Sequence, residues 1–391
     1  MVRRRVAVSV VSVWNDEAVL GACLDRSVRE LRHTAPETEL VAVDNRGQRC
    51  ATAGSALNEG VREATRDVVA FVQQDIYLHS LVALEEAAAL LTEDPSLAMV
   101  GAVGIDADGR VRGRIRDRVV LIGEVADSPV PVDSLDEVLF LARRQDLLED
   151  PLSEDPDLAW HAYAVEWGLR GRARDRAVAA VDIPLTHNSL STNLARLDEA
   201  HAAVAALHPD LLPLHTTCGV ITAGGGIRAP RRPGLLTDHR WRLRWAKGSW
   251  ALRAAGRAAG SSSLVLGDLR RDVDRVAAHV PGRLRIHDLV PAQHPFPDAP
   301  GGTCLPRAGY DVWFTSGSLA ERPAPDRPDD ACLWTNVTLT DLTELGPALA
   351  GAPHVIGYHD DIGYWVLTGE AARRRDEIWT DPRSRPARLP V

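Results

Sequence analysis

Along the first hundred residues the apolar positions change period repeatedly. Val6–Trp14 is β-branched and continuous, as a strand buried on both faces is. Asn15 and Asp16 follow and can cap a helix over Glu17–Arg32. Glu39–Asp44 (ELVAVD) reads as a second strand, ending in a carboxylate. Ala53, Ala56, Leu57, Gly60, Val61 and Ala64 then recur at i, i+3, i+4, i+7, i+8 and i+11, one apolar face of a helix. Val68–Val72 is a third strand, Ser80 can cap a helix running to Leu91, and Ala98–Gly104 is a fourth strand. Strand and helix alternating at this spacing predict a parallel α/β sheet.

Three of these strands end in polar residues: Asn15–Asp16, Asp44–Asn45 and Gln74–Asp75. Parallel strands put such ends along one edge, where open α/β sheets bind ligands. The sharpest of the three is VVAFVQQDIYL, Val68–Leu78, where an apolar run stops at Gln73, Gln74 and Asp75. A carboxylate there can hold a hard cation, and the cation a diphosphate. A lone Asp at a strand end more often starts a turn; three polar ends together point to a nucleotide crevice.

After Gly104 the pattern changes. Asp108–Gly109 between short β-like runs predicts a hairpin, and Asp133–Arg144 (DSLDEVLFLARR) a strand with acids at its start. Asp157–Arg170 has helical spacing, with Leu158, Tyr163, Val165 and Leu169 buried. Ala177–Leu185 is a strand ending at Thr186-His187-Asn188-Ser189, and a helix over 193–207 closes the region. Gly224–Gly226 and Pro230–Pro233 mark a boundary. A helix bearing Trp241, Trp245 and Trp250 among basic residues follows. Such a helix can lie on an anionic membrane; the favoured expectation is that its indoles pack on the preceding domain. From Ser263 a second α/β unit is expected, with strands at 264–266, 311–315, 333–339 and 354–357 and long Pro-rich loops at 291–306 and 323–328. The domains expected are 1–218, a linker with the Trp/Arg-rich helix at 219–262, and 263–391.

Composition narrows the picture. The 391 residues fit two or more domains. A net charge of −9 argues against a nucleic-acid partner. Lys247 is the single lysine beside many arginines, which with abundant Ala points to a GC-rich, bacterial coding sequence. Cys23, Cys50, Cys218, Cys304 and Cys332 form no paired or zinc-like spacing, so free thiols in a reducing cytoplasm are expected. No run approaches the roughly 18 apolar residues of a membrane span. Tyr358-His359-Asp360-Asp361 is expected to be a loop rather than a metal site, and Trp313, Trp334 and Trp365 core residues.

Several blocks together resemble family 2 glycosyltransferases of GT-A fold: NDEAVL, VAVDNRG, SALNEGVREATRDVVAFVQQDIYL, DEVLFLARR and the terminal HNS. The likeness is greatest to a small bacterial branch named after a streptomycin-biosynthesis protein. Ala56, Asn58, Gly60, Ala64, Asp67, Phe71, Gln74, Asp75, Tyr77 and Leu78 follow that branch's long motif, whereas Gln73 replaces its His and Arg66 its Gly. The resemblance runs from Val6 to Ser189, about half the chain.

It implies an inverting transferase that moves a sugar from a nucleotide-diphosphate donor to a small-molecule, natural-product acceptor. The family's acidic metal motif falls on Gln73-Gln74-Asp75, leaving Asp75 as the one carboxylate for Mg2+ or Mn2+. His187 in the terminal motif is the second metal or phosphate contact; read without the resemblance it is a loop histidine. The family's base falls on the helix at Glu166, since Ala164 takes the place of another acid. Asp136 and Glu137 are fallback bases, or orient acceptor and sugar. Asp44 and Asn45 meet the nucleobase, Trp14 lines the same pocket, and Asn58 reaches ribose or phosphate or holds a turn. Two other readings stay open: a catalytically silent sugar-nucleotide-binding protein, favoured by Gln73 and Ala164, and a nucleotidyltransferase. Monomer and homo-oligomer are both compatible with the sequence.

Overall fold

The β-branched run near the N-terminus is strand β1 (Val8–Trp14), in which Val8, Val10 and Val11 have no exposed surface. A strand buried on both faces needs neighbours on both edges. Strands β2 (Glu39–Asp44) and β3 (Val68–Val72) supply them, both parallel to β1, with Trp14 opposite Asp44 and Val11 opposite Phe71. The computed structural model describes residues 4–126, 128–188, 195–227, 235–261, 263–266, 269–280, 282–289, 299–305, 310–316, 330–359 and 362–379. They form two units, Met1–Ile115 with Gly123–Ala229 and Arg116–Ile122 with Pro230–Val391.

In the first unit α1 (Glu17–Ala22) and α2 (Leu24–Leu31) replace the one helix expected over 17–32. The chain turns at Cys23, which has non-helical angles, and Asp16 caps α1 through the Ala18 and Val19 amides. Helix α3 (Ala53–Glu63) packs its predicted apolar face on the sheet, with Gly60 against Val11 and Val43. After β4 (Ile76–Leu78) comes α4 (Leu81–Glu93), capped by Ser80 as its spacing predicts. The expected fourth strand divides into β5 (Leu97–Gly101) and β6 (Val103–Ile105). Strand β7 (Val111–Asp117) returns antiparallel to β6 through the Asp108–Gly109 turn, where Gly109 has φ 76°.

DSLDEVLFLARR is not one strand. It splits into β10 (Ser134–Leu135) and β11 (Leu139–Arg143), separated by Asp136–Val138. Also present are β9 (Val130–Pro131) and α5 (Arg144–Glu149), while β8 (Val120–Glu124) begins in the Arg116–Ile122 segment that belongs to the second unit. Helix α6 (Tyr163–Arg172) starts later than expected, because residues 156–162 turn and Ala162 takes up a left-handed conformation, φ 55°. Then come β12 (Ala177–Ala180), β13 (Leu185–His187), α7 (Leu197–Leu207) and a small meander, β14 (Leu214–Thr216), β15 (Gly219–Thr222) and β16 (Gly225–Ile227).

The main sheet of this unit has the order β2-β1-β3-β11-β5-β12-β9, and a second sheet runs β10-β6-β7-β13-β4 with β8 beside β7. Strand β11 is antiparallel to both β3 and β5. The result is the α/β class that the alternation predicts, with a mixed sheet in place of the expected parallel one.

The second unit is also α/β. It holds α8 (Leu235–Ala259), β17 (Leu264–Leu266), α9 (Leu269–Ala278), β18 (Leu284–Asp288), β19 (Ala299–Leu305), β20 (Tyr310–Ser316), β21 (Ala331–Val337), α10 (Leu339–Leu349), β22 (His354–His359), β23 (Gly363–Gly369), α11 (Glu370–Arg373) and α12 (Arg375–Trp379). The strand order is β17-β22-β23-β21-β18-β20-β19. Successive residues of a strand point to opposite faces. Cys332 and Trp334 accordingly pack with α8 and α10, and Leu333 with α9. Strand β19 occupies part of the segment expected to be a Pro-rich loop, and Asp360, Asp361 and Ser189 lie outside the described residues. Trp334 and Trp365 are buried, as expected of core residues, and Cys23, Cys50, Cys218 and Cys332 are free thiols. Among the described residues no helix is long and apolar enough to cross a membrane.

A Cβ at Gly60 would collide with Val11 and come within 3.1 Å of Val43 Cγ2. Gly60→Ala should therefore destabilise the first unit by about 1–3 kcal/mol. A urea-unfolding midpoint equal to that of the parent chain would disprove this packing.

Candidate functional site

The carboxyl ends of β1, β2 and β3 lie side by side, because all three strands are parallel and in register. At the outer end of this edge the Asn45 amide donates to the Trp14 carbonyl at 2.8 Å. The Arg46 guanidinium lies over the Trp14 ring, 4.5 Å from its centroid, and its Nη2 donates to Asp44 Oδ2 at 2.6 Å. Hydrogen bonds from Arg46 hold the Asp44 carboxyl below the ordinary carboxylate range. Asp44 remains accessible to a ligand, while Asn45 is buried and its Oδ1 accepts from the Cys50 amide at 2.7 Å. Asp44, Trp14 and Arg46 thus form an aromatic face flanked by one acceptor and one cation, and Asn45 closes the loop beneath them. Nothing in the periodicity singles out Arg46, although it stands inside the VAVDNRG block.

At the end of β3 the two glutamines act differently. Gln74 Oε1 accepts from the Asn15 and Asp16 amides at 3.0 and 3.1 Å, and its Nε2 donates to Asn15 Oδ1 at 2.8 Å. It ties the end of β3 to the start of α1. The Gln73 amide donates to the Val138 carbonyl at 3.2 Å, and its side chain is hydrogen-bonded to the Tyr163 hydroxyl. Asp75 follows, and the antiparallel pairing of β4 with β13 sets His187 opposite Ile76. His187 Nε2 is 3.7 Å from Asp75 Oδ2, both side chains about one-fifth exposed. The Asn188 amide also donates to the Asp75 carbonyl at 2.9 Å.

Strand β11 runs against β3, pairing Leu139 with Val72, so the residues before it reach the same edge. These are Asp136 and Glu137. Asp136 Oδ1 accepts from the Val138 amide at 3.0 Å, the turn that breaks the expected strand. Burial, and secondly the Asp136 charge, push the Glu137 carboxyl up to about 8. Its Oε1 is buried without a hydrogen-bond partner. Tyr163, at the start of α6, is raised well above its ordinary value by burial and then by Glu137 and Asp136, with Asp75 adding to the effect. Gln73, Asp75, Asp136, Glu137 and Tyr163 therefore form one cluster. From periodicity Tyr163 reads only as a buried helix position.

Two other site residues sit in structural networks. Asn58 is buried; its Nδ2 donates to the Leu152 carbonyl at 2.9 Å and to Glu154 Oε1 at 3.0 Å, and its Oδ1 accepts from the Leu152 amide at 3.0 Å. All of its amide is spent clamping the 152–154 loop. Glu166 is 4% exposed; Oε2 accepts from Arg170 at 3.0 Å and Oε1 lies 3.3 Å from His208 Nε2. Arg170 also binds Asp150, which binds Arg174. A general base needs an oxygen within reach of the acceptor, and both oxygens of Glu166 are engaged.

Asp75 and His187 suit a divalent cation as a partial donor set. Donors about 2.1 Å from one ion lie at most about 4.2 Å apart, and theirs are 3.7 Å apart. Among the described residues there is no group of three or more His, Cys, Asp or Glu that could hold a metal. The remaining positions would fall to phosphate oxygens and water, as is common for Mg2+.

The sequence matches no family model and no curated protein. Among solved structures the chain is similar to GalNAc-T7 with UDP, GalNAc and Mn2+, at 15% identity over 54% of this chain and 51% of that one, TM-score 0.38. It is similar to the mannosyltransferase PcManGT from Pyrobaculum calidifontis in complex with GDP-Man and Mn2+, at 15% identity over 53% and 68% of the two chains, TM-score 0.35. A third is S. aureus TarS, at 16% identity over 51% and 39%, TM-score 0.36. The matched part spans about half the length of the first of these.

With a folded-state value of about 8 against an ordinary 4.5, ionisation of Glu137 opposes folding. Its contribution to stability is complete below about pH 4.5 and is lost as pH rises through 8. Glu137→Gln, neutral throughout, should flatten that decline. Urea unfolding followed across this window tests it, and an identical pH dependence in the variant would refute the burial assigned to Glu137.

Proposed function

We propose that this chain is an inverting glycosyltransferase of GT-A type, working in the cytoplasm on a nucleotide-diphosphate sugar and a small-molecule, natural-product acceptor. The observation that carries the reading is the convergence of Asp75, His187, Asp136 and Glu137 on the sheet edge that also bears Trp14, Asp44 and Arg46. The family resemblance of the blocks around these residues supports it.

In this reading the nucleobase lies against Trp14 and donates to Asp44, with Arg46 reaching the ribose or phosphate. Asp75 and His187 would hold a divalent cation. Such a cation would supply positive charge to neutralise the departing diphosphate. The two neighbouring carboxylates divide acid and base roles as their environments do. Glu137 stays protonated near neutral pH and donates a hydrogen bond to sugar or acceptor. Asp136 takes the proton of the acceptor hydroxyl. The acceptor oxygen then bonds to the anomeric carbon from the face opposite the diphosphate, whose oxygen leaves with the bonding pair. Asp136, held by the Val138 amide at the site edge, serves better as base than Glu166, which is held by Arg170 and His208.

The deciding experiment incubates the protein with a panel of nucleotide sugars and acceptors, with and without Mn2+, and follows release of nucleoside diphosphate. Binding without turnover for every acceptor would favour a silent sugar-nucleotide-binding protein. Pyrophosphate release from a nucleoside triphosphate would favour a nucleotidyltransferase. Asp75→Asn should abolish metal-dependent turnover. Asp136→Asn should lower kcat by roughly 10²–10⁴-fold, the usual range for losing a general base. Glu166→Gln should leave kcat within a few-fold while lowering thermal stability; the opposite ranking of these two variants would return the base role to Glu166.

A further inference from the structure

We infer that the outward face of α8 docks the protein on an anionic lipid surface. The helix buries one side in its own unit, through Leu252, Ala255 and Ala259 in the core with α10 and β22 and through Gly248 against Leu266. That leaves the opposite side to solvent. Leu243 and Trp250 lie there, 57% and 68% exposed, the two most exposed large apolar side chains among the described residues. They are seven residues apart, two turns of one face. Lys247, between them, is exposed, and Arg253 and Arg257 continue the same exposed side. Of the three indoles expected to pack on the preceding domain, that of Trp250 is 68% exposed, and the side chains of Trp241 and Trp245 lie outside the described residues.

Charge selects the occupant. Along α8 stand Arg240, Arg242, Arg244, Lys247, Arg253 and Arg257 against Asp238 alone, on a chain whose net charge is −9. Among the described side chains, Lys247, Arg253 and Arg257 put positive charge on the side where Leu243 and Trp250 are exposed. A helix lying in a membrane interface needs this combination. Its apolar side chains enter the headgroup boundary, indole is favoured at that depth, and cations meet anionic headgroups. A polyanion such as nucleic acid would use the cations and leave Leu243 in water. An uncharged apolar partner would leave the cations unmatched.

Lys247 provides the readout, being the only lysine in the chain. Amine acylation, mapped by peptide mass spectrometry to separate it from the N-terminus, reports on this face alone. The full chain is mixed with phosphatidylcholine vesicles with and without phosphatidylglycerol, and sedimentation and Lys247 acylation are followed together. The expected result is co-sedimentation with the phosphatidylglycerol vesicles only, slowed acylation of Lys247, and release by raised salt. Trp250→Glu, at an exposed position where the fold does not need the indole, should lower the partition by roughly tenfold or more with an unchanged circular dichroism spectrum. Three outcomes overturn the inference: no sedimentation with anionic vesicles, equal sedimentation of Trp250→Glu, or Lys247 protection that appears without vesicles and grows with protein concentration. The last would assign the face to a second copy of the chain.

Discussion

Strand β11 runs against β3 in a sheet whose first three strands are parallel, and the arrangement of the site follows from that reversal. Parallel strands deliver their carboxyl ends to one edge, so Asp44 ends a strand there and Asp75 follows one. An antiparallel neighbour delivers its amino end to the same place, so Asp136 and Glu137 come from residues that precede one. The Gln73 amide bonded to the Val138 carbonyl, at 3.2 Å, joins the two sets where they meet. Carboxylates from three separate chain segments are thereby brought to one edge of the sheet without any long-range loop to carry them.

The same packing decides the proton inventory. Like charges in a buried site cannot all ionise. Glu137, with a buried oxygen and Asp136 beside it, is the carboxylate that holds its proton. Tyr163 is kept a neutral phenol by the same burial and by the acids around it, and it stays hydrogen-bonded to Gln73. Gln73 is in this way a hydrogen-bonding partner of Tyr163. The amides on either side have equally definite tasks, Gln74 holding the first loop and Asn58 the 152–154 loop.

The two units solve different problems with α/β packing. In the first, polar residues gather at a sheet edge. In the second, the sheet is covered on both faces by α9 on one side and α8 with α10 on the other, and the distinctive chemistry lies on the outward face of α8. Trp250 and Lys247 belong to that face because Leu252, Ala255 and Ala259 occupy the inward one.

Local pattern was enough to read the order of strands and helices in the N-terminal half, though not every boundary, and the three polar strand ends, and to single out Asp75 as a candidate. Each depends on neighbours in sequence: β-branched runs, helical spacing, caps at Asp16 and Ser80. It was not enough where a side chain's partner is distant along the chain. Whether Asn58 meets a ligand or the Leu152 backbone is settled 94 residues away. Glu166 reads as a helix carboxylate free to act until Arg170 and His208 close on it. Arg46 over Trp14, and Tyr163 among Gln73 and the acids, become visible only when strands from different segments pair. The α/β class and the polar residues at the strand ends were legible in the sequence, because periodicity and strand-end polarity are local. The tertiary structure alone decided which of them share one site and which hold a proton, because burial and charge proximity are properties of space and not of order along the chain.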